Sequence, residues 1–355
     1  MKFEARMSAK SRLKKLLRPF SGLILAAVIV LIFIGGLWLY AGIWPPLVVV
    51  ESPSMQHSDQ RSYIGIIDTG DMVILKTVRS ATDIKPYLES YPSGYSTYGS
   101  LGDVVIYRPL GSEVRTPIIH RAICRVEYNQ SGGGFDVPAL RDLPRDLWQV
   151  SGGPSTWYNI KTTLILNEIG HDGVQVRIDF ATMLNNFAAM HISPHGGLIT
   201  LGDNNHGIID QNSIGGICWR PVKDEWISGV ARGEIPWFGL IKLYVNGQAS
   251  RVPIPPNSQS NLLISLGLII GVPIAIDAST IILEHKGIDL RSKMRKALHL
   301  PEKKKEEKGT KESASGTDDA GLGKGKAAQR KKNSMEKSGK GGSSSSRKGK
   351  GKDKG

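Results

Sequence analysis

Ser54 follows a proline just beyond a long apolar run, in the stretch VVVESPSMQHSD that covers 48–59. A serine hydroxyl becomes a nucleophile when a base within hydrogen-bond reach takes its proton, and the base usually needs a third group to orient it. Candidates for both lie further along the chain. His120 stands in PIIHRAI, and Asp203 and Asp210 stand in LGDNNHGIIDQ. A neutral imidazole, with a reference pKa of about 6.5, can accept a serine proton at neutral pH without special burial. Each piece alone has an ordinary use, since a lone histidine on a strand often serves the core and Gly-Asp-Asn-Asn also makes a turn. Together they supply nucleophile, base and orienting acid for acyl transfer.

Those residues need a rigid frame, and the sequence predicts a mainly β one. The runs 70–78, 102–109, 116–128, 162–170, 174–180, 196–203 and 219–233 are rich in Val and Ile and are punctuated by Gly, Asp or Pro. Only 179–190 has helical apolar spacing, at Phe180, Met183, Leu184 and Phe187. Residues 79–101 and 128–160, with YPSGYSTYGS and NQSGGG, read as long loops or inserted subdomains.

Two apolar segments flank this β-rich region of 45–257. Phe20 to Ile43 contains no charge, and Trp38, Tyr40 and Trp44 crowd its far end as an interfacial aromatic belt does. It is too long for the apolar part of a cleaved signal peptide, which predicts a retained transmembrane anchor over 20–43. A second span is expected over 262–283, despite Pro273 and Asp277; a helix buried in the β-rich domain is the alternative reading. Lys14, Lys15 and Arg18 precede the first span, and Lys286, Arg291, Lys293 and Arg295 follow the second. The positive-inside rule then places both termini in the cytoplasm and the β-rich domain outside it.

Charge is uneven along the chain. Residues 286–355 carry 22 Lys+Arg against 9 Asp+Glu and residues 1–19 carry 7 against 1, so the chain's formal charge of +14 leaves the stretch between them about five negative. Beyond about 301 the tail is low in complexity and almost free of aliphatic and aromatic residues, which predicts disorder. Its lysines suit anionic lipid, a translocon or ribosomal RNA by charge alone, and with no aromatic residues among them they do not suit specific nucleic-acid binding. The eight histidines show no zinc-binding spacing, so neither metal nor cofactor is expected. Cys124 and Cys218 could be bonded or free, and Asn129–Ser131 forms a glycosylation sequon.

Five motifs, in chain order, resemble the type I signal peptidases of the archaeal and endoplasmic-reticulum type. After the anchor come SPSM at Ser52–Met55, GDMV at Gly70–Val73, GDVVIYRP at 102–109, HR at His120–Arg121, and GDNN at Gly202–Asn205 with Asp210 beyond. The likeness covers roughly 20–240. It implies a membrane-anchored serine endopeptidase that cuts signal peptides from exported preproteins. Ser54 would be the nucleophile and His120 the general base, where bacterial relatives place a lysine before the arginine. An aspartate would orient His120: Asp210 by preference, with Asp203 left open because HGII makes the interval one residue longer than the family pattern. The Ser54 N–H and the Ser52 hydroxyl would form the oxyanion hole, with Met55 beside them at the substrate. Lys76 is the alternative base of a serine–lysine dyad, and a non-catalytic translocon scaffold is the alternative outside enzymology. IPWFGLIKLYV, with Trp237 and Phe238, would either rest on the membrane surface or pack in the core.

Overall fold

A computed structural model of the protein describes residues 21–212 and 216–285. The basic N-terminal segment 1–19 and the basic tail from 286 onward lie outside the described residues, and so do the charges on which the expected orientation rests.

The Val- and Ile-rich runs pair as antiparallel strands. The main sheet runs β1 (Leu47–Val49), β2 (Met72–Lys76), β12 (Ile227–Ile235), β5 (Val104–Tyr107), β6 (Ile118–Asn129) and β11 (Gly197–Leu201), with β7 (Gly134–Asp136) hydrogen-bonded to the far end of β6. β9 (Thr163–Ile169) and β10 (Val174–Asp179), both expected as strands, form a three-stranded sheet with β8 (Trp148–Val150); β8 and β7, and the small β3–β4 hairpin (Ser96–Thr97, Ser100–Leu101), lie in the stretches expected as long loops. Helix α2 (Tyr87–Ser90) lies within the first of them. These strands are two to three residues long apart from β9 and β10, too short to display an alternation.

Helix α3 (Phe180–Ala189) begins where its apolar spacing predicts, with Asp179 capping it by accepting a hydrogen bond from Thr182 N at 3.0 Å. It joins β6 and the three-stranded sheet in the largest apolar cluster, around Phe135, Phe180 and Phe187. The run 219–233 is only partly a strand. Pro221 has no N–H to give a ladder, Val222 makes an isolated bridge to Leu198, and Asp224–Trp226 form a single tight helical turn before β12 begins.

Helix α1 (Ser21–Ala41) ends at Gly42, whose φ of +67° and N–H to Trp38 O at 2.9 Å form a left-handed helix stop. Thr77 N then donates to Ala41 O at 2.8 Å, fixing the helix end on β2. Helix α4 (Leu240–Val245) turns Leu240 and Leu243 inward, as the core-packing alternative expects, and leaves Ile241, Tyr244 and Val245 exposed.

Helix α5 (Pro256–His285) starts six residues before the expected boundary at 262. Pro256 is well placed at a first helical position, where no N–H is needed. Asn257 clamps the start, its Oδ1 accepting from Ser62 N at 2.8 Å and its Nδ2 donating to Ser62 O at 2.9 Å. The helix continues through Pro273, and its portion Pro256–Ile276 is long and apolar enough to cross a membrane. A contiguous apolar surface at Leu263, Ile264, Leu268, Ile269 and Ile270 is exposed, unlike the flank of a buried core helix.

Acids are withdrawn from solvent near the serine turn: Asp68 and Asp71, between that turn and β2, are buried, and Glu234 of β12 is half-buried. Asp71 accepts hydrogen bonds from Trp237 N and Asp68 N, each at 2.8 Å, and Glu234 accepts from Gly65 N. Burial pushes the carboxyls of Asp71 and Glu234 up to about 7 and raises Asp68 as well.

Candidate active site

Ser54 sits on a short turn between β1 and β2, and its neighbours hold that turn in place. Met55 is buried against Val50, Ile67, Val73 and Ile106, so its side chain plugs the core while Ser54 faces out. Gln56 N donates to Pro53 O at 3.0 Å and Gln56 Oε1 accepts from Thr69 N at 3.1 Å. The GDNN loop grips the other side. Asn204 donates from its backbone N to Ser54 O at 2.8 Å and from Nδ2 to Pro53 O at 3.1 Å.

His120 comes from the start of β6, opposite Val105 of β5. Its Nε2 lies 2.9 Å from Ser54 Oγ, and its Nδ1 lies 2.8 and 2.7 Å from the two carboxyl oxygens of Asp210. Ser52 Oγ is 3.1 Å from Ser54 Oγ. Asp210 Oδ2 also accepts from Tyr107 OH and from Thr200 Oγ1, each at 2.7 Å. Gln211 steadies that threonine, donating from Nε2 to Thr200 Oγ1 at 3.1 Å and accepting from Thr200 N at 3.0 Å. Burial, reinforced by the nearby Asp210 charge, pushes the Tyr107 phenol well above its ordinary value, so it stays protonated and donates. An acceptor-only carboxylate on Nδ1 fixes the proton there and leaves the Nε2 lone pair facing the serine hydroxyl.

The histidine and the arginine beside it use the two faces of one strand. Successive side chains alternate across a sheet, and His120 reaches Asp210 while Arg121 reaches Asp203. Arg121 Nε and Nη2 lie 2.7 and 2.6 Å from the Asp203 carboxyl oxygens, a bidentate pair between groups only 1% and 2% exposed. The guanidinium also donates to the carbonyls of Thr97, Tyr98, Ser100, Leu101 and Gly102, fastening the β3–β4 hairpin beneath the site. Burial pushes Asp203 up, but the Arg121 charge and hydrogen bonds outweigh it and hold the carboxyl below the usual carboxylate range. Of the two candidate aspartates, Asp210 therefore contacts the imidazole, and Asp203 contacts Arg121 and, at 3.0 Å, His57 Nε2.

Gly202 makes this packing feasible. A Cβ there would stand 2.6 Å from Ser54 O and 2.8 Å from His120 Nε2, so any side chain would separate base from nucleophile. A cleft of about 400 Å³ opens at the pair, walled by β1 residues such as Val48 on one side and by Ile118 and Ile119 on the other. Its lining also includes Ser52, Ser54, Met55 and His120, while Glu51 and Lys242, paired at 2.7 Å, border it.

Lys76 ends β2 with its Nζ 5.3 Å from the Tyr40 ring centroid and lines a different cleft, beside the end of α1. Cys124 and Cys218 are both free, buried thiols. Burial raises Cys124 well above its ordinary value and Cys218 to about 11, which keeps both protonated. Asn129 Nδ2, the atom a glycan would occupy, donates to Asp136 Oδ1 at 3.1 Å and Oδ2 at 3.2 Å. Among the described residues, no group of three or more His, Cys, Asp or Glu is placed to hold a metal ion.

Tyr107, Thr200, Gln211, Asn204 and His57 were not singled out from the sequence. For Tyr107 and Asn204 a signal was present, inside GDVVIYRP and GDNN, whereas Thr200 and Gln211 lie outside the motifs and nothing in the sequence joins His57, two residues past SPSM, to Asp203. The chain matches no family model and no curated protein.

Proposed function

We propose that the protein is a membrane-anchored serine endopeptidase that removes signal peptides from exported preproteins, of the archaeal and endoplasmic-reticulum type. The observation that carries this reading is the chain of contacts from Ser54 Oγ through His120 to Asp210, at 2.9 and 2.7 Å. Ser54 attacks the scissile carbonyl, His120 Nε2 takes its proton and returns it to the leaving amine, and Asp210 stabilises the imidazolium formed between those steps. The Ser54 N–H, helped by the Ser52 hydroxyl, meets the developing oxyanion, where one donor is worth about 3 kcal/mol. The steps so written call on no metal or cofactor.

The cleft suits the substrate. β1 is an edge strand of the main sheet, and an extended peptide can add to such an edge and alternate its side chains into apolar pockets. Small residues before the cut site of a signal peptide fit a narrow cleft. Helices α1 and α5 cross the bilayer in this reading, with the β-rich domain outside and both termini in the cytoplasm. Ser54 lies thirteen residues past the end of α1, which sets its height above the lipid, where a signal-peptide helix gives way to an extended chain. The basic tail is free to meet anionic lipid, translocon or ribosome.

Cleavage of a purified preprotein in liposomes tests the reading. Wild type and Lys76→Ala are expected to cut, and Ser54→Ala and His120→Ala to lose at least about 10³-fold in kcat. Retention by His120→Ala with loss by Lys76→Ala would move the base to the lysine, and a wild type inactive on every preprotein would leave a scaffold.

A further inference from the structure

Three residues past Ser54, His57 meets a histidine from a remote part of the chain. Its ring lies face to face with that of His171, the centroids 3.7 Å apart and the planes 1° from parallel. His57 is also bonded through Nε2 to Asp203, at the centre of the brace that joins Arg121 to the GDNN loop. His171 stands in the turn between β9 and β10, its Nε2 3.1 Å from Asp172 Oδ1. Its Nδ1 is buried, with no hydrogen-bond partner among the described residues. The same hairpin touches the acid-bearing loop again, since a Cβ on Gly207 would come within 2.3 Å of Gln175 O. The loop 202–210 is thus held between the serine turn and the β9–β10 hairpin.

We propose that His57 and His171 are a positioning pair: their stack ties the three-stranded sheet to the serine and aspartate loops, and it holds only while the two rings share at most one proton. The link to turnover rests on the peptidase reading above. Neutral rings in face-to-face contact are held by dispersion, whereas two imidazolium charges this close repel in a site with little water to screen them. The acids that face the pair are Asp203, Asp172 and Asp68, and the cation is Arg121. Asp203 is already neutralised by the bidentate Arg121 contact, and Asp172 is 54% exposed and screened by solvent. Neither can absorb a second positive charge fully. Burial, with His57 next, pushes His171 below the ordinary histidine value, the direction that keeps it neutral at pH 7.

Sequence spacing gives no hint of this contact, because 114 residues separate the two histidines. Its expected role is distinct from that of His120, which touches the serine itself. His57 and His171 act through Ser54 and the loop 202–210, so their protonation should lower kcat and leave KM nearly unchanged.

The test uses the full chain with His171→Phe, which keeps a ring for His57 to stack on but carries no proton, and His171→Gln as a second variant lacking the proton. In liposomes with a preprotein substrate, the acid limb of wild-type kcat is expected to be steeper than that of His171→Phe by one proton, about tenfold more per pH unit. A second readout needs no turnover. In a Ser54→Ala background in detergent, the melting temperature of the His171→Phe double variant should gain on the single variant as pH drops from about 8 to about 5.5. Identical acid limbs and a constant melting difference for both replacements would overturn the proposal. A wild type that cuts no preprotein would defeat the peptidase reading alone, and the melting series would still decide the fate of the stack.

Discussion

Replacing Asp210 by asparagine is expected to abolish turnover and spare the fold, and replacing Asp203 by asparagine to do the opposite. Asp210 receives His120 Nδ1–H and the hydroxyls of Tyr107 and Thr200, all within 2.8 Å. An amide in its place presents N–H groups to His120 Nδ1, so the imidazole shifts its proton to Nε2 and points it at Ser54, where it can no longer accept one. In serine peptidases the equivalent error in tautomer costs about 10⁴ in kcat, or about 5 kcal/mol of barrier at 1.36 kcal/mol per tenfold. The loss of stability should be about 1 kcal/mol, because the two hydroxyls can rotate to accept the new N–H groups. The same change at Asp203 strands the Arg121 guanidinium, 1% exposed, without its counter-charge. Breaking a buried pair in this way costs about 3–5 kcal/mol, a large part of the roughly 5–15 kcal/mol that holds a domain together. The assay pairs single-turnover cleavage with denaturant unfolding in detergent for each variant. Loss of turnover with Asp203→Asn at unchanged stability, while Asp210→Asn stays active, would refute this assignment of the two aspartates.

Two further outcomes follow from close packing and from buried acids. Gly202→Ala is expected to lower kcat about 100-fold, because a methyl 2.8 Å from His120 Nε2 must displace the base by a fraction of an ångström or more; kcat within twofold of wild type would contradict the packing argument. Asp71 and Glu234, raised by burial to about 7 from the ordinary carboxylate range, favour folding fully below that range and lose that contribution as pH rises through about 7. The denaturation midpoint should therefore lose stability from this cluster between about pH 5 and about pH 8, and Glu234→Gln should flatten the decline. A steeper decline in Glu234→Gln than in wild type would reverse the sign.

How much could be read in advance depended on the length of each element and on the range of each contact. Strands β2, β5, β6, β9, β10 and β11 announce themselves because four or more Val, Ile or neighbouring residues establish a pattern, and α3 does so through its spacing at Phe180, Met183, Leu184 and Phe187. β3, β4, β7 and β8 do not, because strands of two or three residues are held by partners rather than by propensity. The 219–233 run becomes a strand only from Ile227, although Trp219 and Val222 look like strand residues, because Pro221 interrupts the ladder. The start of α5 was missed because NSQS is polar, and the clamp between Asn257 and Ser62 spans 195 residues. In the site, serine, histidine and both aspartates were visible as residue types in order. Which aspartate met the imidazole was not visible, because that depends on His120 and Arg121 facing opposite sides of β6 and on a register shift in β11 between Ile199 and Thr200. Thr200 meets Asp210 through its hydroxyl and its carbonyl, and no local pattern in TLGD encodes that contact.

The central claim is that Ser54 forms a bond to the substrate. Acid-quenched reactions of the full chain with a preprotein, digested and weighed by mass spectrometry, examine it directly. An adduct equal to the acyl portion of the signal peptide is expected on the peptide that contains Ser54, and none with Ser54→Ala. Preprotein cleavage that persists in Ser54→Ala, or an adduct that maps elsewhere, would contradict it.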